Sequence, residues 1–119
     1  MEQKNKFEEE GQLVIDIYQT PEKFVIESPV AGVKADDLDI NISRDSVFIK
    51  GTRHHHSQIN DDDYLYRECY WGPFSRSIIL PQEVDAEKAS VEFKDGILII
   101  DLPKLIRKDE MKKIKIKTD

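Results

Sequence analysis

The sequence has little that would cross-link the chain or anchor it in a membrane. Cys69 is the single cysteine among 119 residues, so no internal disulfide can form, and we expect a reducing, cytoplasmic setting. No apolar run approaches the roughly 20 residues that a membrane helix needs, and we expect no membrane partner. Residues 1–10 are polar and acidic, unlike a secretory signal or a transit peptide.

Length and charge narrow the range of functions further. A mass of 13.9 kDa allows one compact domain with short tails and excludes a large multi-domain enzyme. The chain has 18 Lys and Arg against 24 Asp and Glu, yet residues 104–119 contain seven basic and three acidic residues. The remaining body therefore has a net charge of −10, which repels a phosphate backbone, and we expect no nucleic-acid partner.

Apolar and polar residues alternate along most of the chain, as in half-buried β-strands. Leu38–Ile42 alternates at every position, Lys94-Asp95-Gly96 predicts a tight hairpin turn, and only Asp85–Ala89 predicts a turn of helix. The predicted strands are Leu13–Gln19, Phe24–Ser28, Leu38–Ile42, Val47–Gly51, Tyr64–Glu68, Phe74–Leu80, Val91–Phe93 and Ile97–Ile100. Short strands at regular spacing predict an all-β fold, an antiparallel immunoglobulin-like β-sandwich with a short flexible C-terminal tail.

The mostly polar segment 54–63 is longer than the usual connection of about four to six residues. The short predicted strand Tyr64–Glu68 follows it and contains two tyrosines and a leucine. Because this strand lies beyond a solvated loop, it can reach a neighbouring chain and pair with that chain's sheet edge, which makes a dimer by strand exchange. The alternative is an ordinary loop, with the strand folded back on its own sheet.

The C-terminal tail has an alternating pattern of its own. Pro103 ends the last strand, and a charged tether leads to Ile114-Lys115-Ile116. In an extended chain both isoleucines project to one face, while Lys113 and Lys117 project to the other. We expect the two isoleucines to dock into an apolar groove at the edge of another sandwich. The alternative is a frayed amphipathic tail.

Several motifs occur in an order that resembles a known family. Phe74–Pro81, then Val91–Leu98, then Leu102-Pro103-Lys104 are similar to the α-crystallin domain of small heat-shock proteins, and the tail matches that family's Ile-x-Ile anchor. The resemblance extends from Leu13 to Ile116. It implies an arm at residues 1–11, an α-crystallin domain at 12–104 and an extension at 105–119.

The resemblance also implies a function and its partners. Family members are ATP-independent holdases that bind non-native client proteins without a cofactor, a metal or a catalytic residue. The resemblance implies homodimers that exchange the strand Tyr64, Leu65, Tyr66, Arg67 and Glu68. It further implies that the anchor residues Ile114 and Ile116 link dimers through a groove formed by Leu38, Ile40, Ile42, Val91 and Phe93. Few and mostly charged residues precede the first predicted strand, so we expect dimers or small oligomers rather than large cages.

The histidines, the aspartates and the cysteine lack the spacing that a metal site or a catalytic site needs. His54-His55-His56 are consecutive and project in different directions, so a solvated loop is favoured over a metal site. Asp61-Asp62-Asp63 lacks the glycine and the distal glutamate of a calcium loop. Cys69 has no adjacent histidine, and we expect a buried or half-buried thiol rather than a nucleophile.

Two other functions are compatible with a small sandwich. A CS-type adaptor or co-chaperone module has the same architecture but lacks the Ile-x-Ile anchor and strand exchange. A metal-responsive domain would use His54, His55 and His56. The anchor motif and the long loop favour the holdase over both.

Overall fold

The computed structural model describes residues 11–106 and 113–118. Eight strands occur in this part of the chain: β1 Gly11–Gln12, β2 Asp16–Gln19, β3 Lys23–Pro29, β4 Leu38–Ile42, β5 Ser46–Arg53, β6 Gly72–Ile79, β7 Ser90–Lys94 and β8 Ile97–Pro103. Three single turns of 3-10 helix occur at Ala35–Asp37, Asp61–Asp63 and Ala86–Lys88. Most of the predicted arm, and residues 107–112 of the predicted extension, lie outside the described residues.

The strands form two four-stranded sheets. One has the order β1-β6-β5-β4 and the other β2-β3-β8-β7. All pairs are antiparallel except β1 with β6. Inward-facing residues of both sheets share one hydrophobic core, including Ile26 and Ile100 from one sheet and Ile49 and Phe74 from the other. The predicted β-sandwich is confirmed.

The first predicted strand, Leu13–Gln19, is divided between the two sheets. β1 pairs with β6, whereas β2 pairs with β3. Leu13 is buried and its N–H donates to the carbonyl of Ser75, while the carbonyl of Val14 accepts from the Ser28 hydroxyl at 2.7 Å. The chain thus crosses from one sheet to the other at residues 13–15. Alternation alone did not indicate this crossing, because the apolar residues continue through it.

The predicted strand Tyr64–Glu68 is absent from this single chain. It belongs to the long connection between β5 and β6, and no described strand pairs with it. A strand needs a neighbouring edge to form its ladder, so strand exchange with a second chain stays a prediction.

The hairpin turn and the turn of helix that the sequence predicted are both present. Asp95 and Gly96 both have positive φ, at 53° and 78°, as the predicted tight hairpin between β7 and β8 requires. The predicted turn of helix at Asp85–Ala89 is a 3-10 turn at Ala86–Lys88, where the Asp85 carboxylate accepts from the N–H of Glu87. No helix in the described ranges is long and apolar enough to cross a membrane.

Candidate interaction groove

An apolar groove lies between the edge strands β4 and β7, which belong to different sheets. It encloses a cavity of about 410 Å³ lined by Ala35, Leu38, Ile40, Val91, Phe93 and Leu98. Four of the five residues predicted for a groove therefore line one cavity. Ile42, the fifth, is partly buried against the hydrophobic core and does not line the cavity.

Period-2 alternation explains why these side chains meet. In β4, Leu38 and Ile40 are half-buried, while Asp39 between them is exposed. In β7, Phe93 is half-buried and Val91 is 46% exposed, whereas Leu98 beneath them on β8 is 1% exposed. The groove therefore has a buried apolar floor and an upper wall that solvent reaches.

Sequence reasoning missed two lining residues. Leu98 lies on the predicted strand Ile97–Ile100, and its alternation with the buried Ile100 placed it on an inner face. Its position beneath the groove depends on pairing with Phe93 across β7 and β8, and the Asp95-Gly96 turn, which fixes this register, is the signal that could have identified it. Ala35 precedes β4 in a 3-10 turn, and no pattern in the sequence indicated its role.

The backbone of each edge strand has one free side. β4 pairs only with β5, and β7 pairs only with β8, among the described strands. The outward N–H and C=O groups of these edges are able to form a ladder with an extended segment of another chain. The groove therefore offers an extended segment both apolar pockets and free backbone hydrogen-bonding groups.

A second cavity, of about 290 Å³, adjoins the groove at Leu38, which lines both. Its remaining lining is more polar and includes the carboxylates Asp36, Asp37 and Asp39. His54 Nε2 lies 3.5 Å from a carboxylate oxygen of Asp37, and Lys50 Nζ lies 3.9 Å from Asp39. Three carboxylates and the Lys50 ammonium therefore line a cavity that shares Leu38 with the groove.

The two isoleucines of the tail do not pack into the core. Ile114 and Ile116 are each 83% exposed, and residues 113–118 have no regular secondary structure. Both side chains are therefore accessible to another surface.

The segment predicted to exchange between chains is also exposed. Leu65 is 93% exposed and Tyr66 is 85% exposed. In the sheet β2-β3-β8-β7, the strand β2 forms the edge opposite β7. It presents Ile17 and Tyr18, which are 43% and 50% exposed. An exposed apolar segment and an exposed sheet edge are therefore present on the same molecule.

Side chains of the long loop contact one another. Arg67 lies over the ring of Tyr64 at 4.5 Å and forms a 2.6 Å ion pair with Asp61. Near the base of the loop, His55 contacts Trp71 edge to face, with ring centroids 4.6 Å apart. The loop has its own side-chain contacts although it lies outside both sheets.

The histidines and the cysteine of the long loop do not come together in one site. His54, His55 and His56 are all exposed, and no three His, Cys, Asp or Glu side chains in the described ranges are placed to hold a metal ion. Cys69 is exposed, so the expectation of a buried or half-buried thiol was wrong. The neighbouring aromatic residues suggested burial, but although Tyr70 packs against the core, the Cys69 thiol beside it is exposed.

Comparison with known proteins gives consistent results. Residues 16–117 match the model of the Hsp20/alpha crystallin family. Small heat shock protein C4 of Rickettsia felis is 39% identical over 101 residues, which are 85% of this chain and 61% of that protein. Small heat shock protein C2 of the same organism is 34% identical over 86% of this chain and 66% of that protein. This chain thus spans less than two thirds of the length of either relative.

Solved structures share the same fold. Heat shock protein 16.0 from Schizosaccharomyces pombe has a TM-score of 0.73 at 25% identity, covering 95% of this chain and 80% of that chain. A small heat-shock protein from Xylella fastidiosa has a TM-score of 0.70 at 24% identity, covering 89% of this chain and 96% of that chain. The arrangement of two sheets is therefore common to all three molecules.

Proposed function

Because this chain belongs to the Hsp20/alpha-crystallin family, we propose that it is an ATP-independent holdase that binds partly unfolded proteins and prevents their aggregation. The observation that carries the proposal is the open apolar groove between β4 and β7. All six of its lining residues are apolar, so the groove suits binding rather than catalysis.

The groove matches the geometry of an extended chain. Alternate residues of a strand lie about 6.6 Å apart on one face. Leu38 and Ile40 on one wall, and Val91 and Phe93 on the other, have this same i, i+2 spacing. A client segment with apolar residues at i and i+2 therefore places both side chains in the groove while its backbone faces a free strand edge.

The strength of such a contact fits reversible capture. Burial of one isoleucine is worth about 1.5–3 kcal/mol, from which the cost of ordering a flexible segment must be subtracted. A single groove thus binds weakly and releases its occupant without ATP. Several grooves in one assembly hold a client more firmly through multivalency.

Two further elements of this proposal concern assembly. Residues 64–68 of one chain pair with the exposed edge strand β2 of a second chain and form a homodimer. Ile114 and Ile116 of the tail occupy grooves of neighbouring dimers and compete with clients. The proposed domain spans residues 12–104, with the extension at 105–119 acting as the tether.

The test is to heat an aggregation-prone protein with and without this chain in the absence of ATP, and to follow turbidity. We expect suppression near an equimolar ratio. Val91→Asp, which puts a charge on the exposed wall of the groove, should weaken suppression. Ile79→Asp is the matched control, because Ile79 is 78% exposed and does not line the groove.

Two results would count against the proposal. An unmodified protein that leaves turbidity unchanged favours the CS-type adaptor instead. Equal loss of suppression in both variants assigns client binding to exposed apolar surface in general rather than to the groove.

A further inference from the structure

The long loop between β5 and β6 folds back on itself. A 3-10 turn at Asp61–Asp63 comes directly before the segment 64–68, and the N–H of Asp63 donates to the carbonyl of Asn60 at 2.9 Å. Side chains from before, within and after the segment share a cavity of about 250 Å³, whose lining includes His55, Ile59, Tyr64, Arg67 and Trp71. The segment proposed to exchange therefore has a folded arrangement within its own chain.

Arg67 makes two contacts in this arrangement. Its guanidinium carbon lies 4.5 Å from the centre of the Tyr64 ring, and its Nη1 lies 2.6 Å from a carboxylate oxygen of Asp61. Arg67 is the only lysine or arginine between residues 54 and 71, a stretch that contains four acidic residues. The two contacts join residues that are three and six positions apart in the chain.

An extended strand cannot keep these contacts. Successive side chains of a strand project to opposite faces, so Tyr64 and Arg67 would lie on opposite faces, with their Cα atoms about 10 Å apart. The same extension moves Arg67 away from the turn that contains Asp61. Pairing of residues 64–68 as a strand therefore requires both contacts of Arg67 to break.

We propose that Arg67 is a latch that holds the segment 64–68 in its own loop and opposes strand exchange. This inference rests on the proposed exchange between two chains and adds its regulation. In a symmetric dimer both chains donate a segment, so two latches open for each dimer formed. The Asp61–Arg67 pair is exposed and is screened by salt, so a rise in ionic strength releases the segment.

The test measures dimerisation of the full chain by sedimentation equilibrium, with Ile114→Ala and Ile116→Ala present to remove the proposed tail anchor. Asp61→Asn removes one partner of the latch at an exposed position outside the segment, so the sandwich should stay folded. We expect the Kd of the dimer to fall by roughly 4- to 25-fold, because an exposed ion pair is worth about two- to fivefold in an equilibrium constant and two latches open per dimer.

Asp62→Asn is the matched control for charge. Asp62 is exposed in the same turn, and none of the ion pairs in the described ranges includes it. Its neutralisation changes the net charge by the same amount, so a general relief of repulsion between chains appears in both variants. A rise in salt should tighten the Asp62→Asn dimer more than the Asp61→Asn dimer, which has no latch to screen.

A double-mutant cycle tests whether the effect of Asp61 acts through Arg67. In an Arg67→Gln background the latch is already absent, so Asp61→Asn should change the Kd no more than Asp62→Asn does. This comparison holds even if Arg67 also contributes to pairing with the second chain, because both variants then lack it equally.

The outcomes separate the latch from strand exchange itself. Equal Kd values for Asp61→Asn and Asp62→Asn, or an undiminished effect of Asp61→Asn in the Arg67→Gln background, overturn the latch. If Tyr66→Pro weakens the dimer in the same assay, strand exchange stands without the latch. If Tyr66→Pro leaves the Kd unchanged, the segment does not pair between chains, and both proposals are wrong.

Discussion

Leu38 and Phe93 lie on edge strands of different sheets, yet they line the same cavity. Leu38 comes from the edge of the sheet that contains β5 and β6, and Phe93 from the edge of the sheet that contains β3 and β8. The groove is therefore a place where the sandwich is left open between its layers. An extended segment bound there would contact both sheets at once.

The tail isoleucines provide the most direct test of this geometry. We expect the double change Ile114→Ala and Ile116→Ala to reduce the mass of the assembly to that of a dimer, because two apolar side chains lose their pockets. Light scattering measures the mass. Ile106→Ala is the control, since Ile106 is 77% exposed but lies outside the anchor. An unchanged mass in the double variant would reject the anchor role.

The proposed strand exchange between two chains is tested by a proline substitution in residues 64–68. Proline at position 66 removes a backbone donor from the segment that pairs with a second chain. We expect Tyr66→Pro to weaken dimerisation by about 1–3 kcal/mol, which sedimentation equilibrium measures as a raised Kd. Because this segment joins neither sheet of its own chain, the circular dichroism spectrum should change little.

A second proline serves as the control for this experiment. Asn60 already has a φ of −64°, which proline adopts without strain, and it precedes the exposed segment. Asn60→Pro should therefore leave the dimer intact. If both variants dissociate equally, disturbance of the loop explains the effect and pairing by residues 64–68 does not.

Four of the five residues that the family resemblance assigned to a groove line one cavity, and period-2 alternation explains why those on one strand share a face. The pattern of β4 placed Leu38, Ile40 and Ile42 on one face, and the structure brings two of these side chains into the cavity with Val91 and Phe93. Period alone does not give the relative position of two sheets. Hence the sequence analysis did not show that Leu98 lines the cavity or that Ile42 lies outside it.

Other features depend on partners that are distant in sequence or belong to another chain. The crossing at residues 13–15 follows from β1 pairing with β6, far along the chain. The segment 64–68 has the composition of a strand, but it pairs with none of the described strands of its own chain. Propensity indicates which segments can form strands, and pairing determines whether they do.

The hairpin between β7 and β8 supports one wall of the groove and limits substitution at its turn. Gly96 has a φ of 78°, and its carbonyl accepts from the N–H of Val30 at 2.7 Å. An added Cβ would meet Ala31 only at ordinary contact distance, so the cost of Gly96→Ala is conformational. We expect a loss of about 1 kcal/mol in the free energy of unfolding, measured by urea denaturation.

The neighbouring residue gives a matched substitution. Asp95 also has a positive φ, at 53°, a conformation that asparagine tolerates well. Asp95→Asn should leave stability unchanged or raise it slightly. Equal destabilisation by both substitutions would mean that the backbone conformation is not what Gly96 supplies.

A hydrogen bond between residues far apart in sequence holds β1 on the first sheet. The N–H of Gly11 donates to the Tyr70 hydroxyl at 2.8 Å, and that hydroxyl donates to the carbonyl of Pro73. A Cβ at position 11 would lie 2.7 Å from the tyrosine ring, so only glycine allows this approach without movement of the ring. Tyr70 thus links the start of β1 to the end of the long loop.

Removal of this hydroxyl should loosen β1 while the rest of the sandwich stays folded. Tyr70→Phe leaves the part-buried N–H of Gly11 without its acceptor, at a cost of about 1–3 kcal/mol. Hydrogen exchange should show faster exchange at Gln12 and Leu13, with little change at β5, because β1 is only two residues long. Tyr66→Phe, at an 85% exposed side chain, should leave both regions unchanged. Unaltered protection of β1 in Tyr70→Phe would show that the pairing with β6, the burial of Leu13 and the hydrogen bond from Arg76 to the Leu13 carbonyl suffice to hold it.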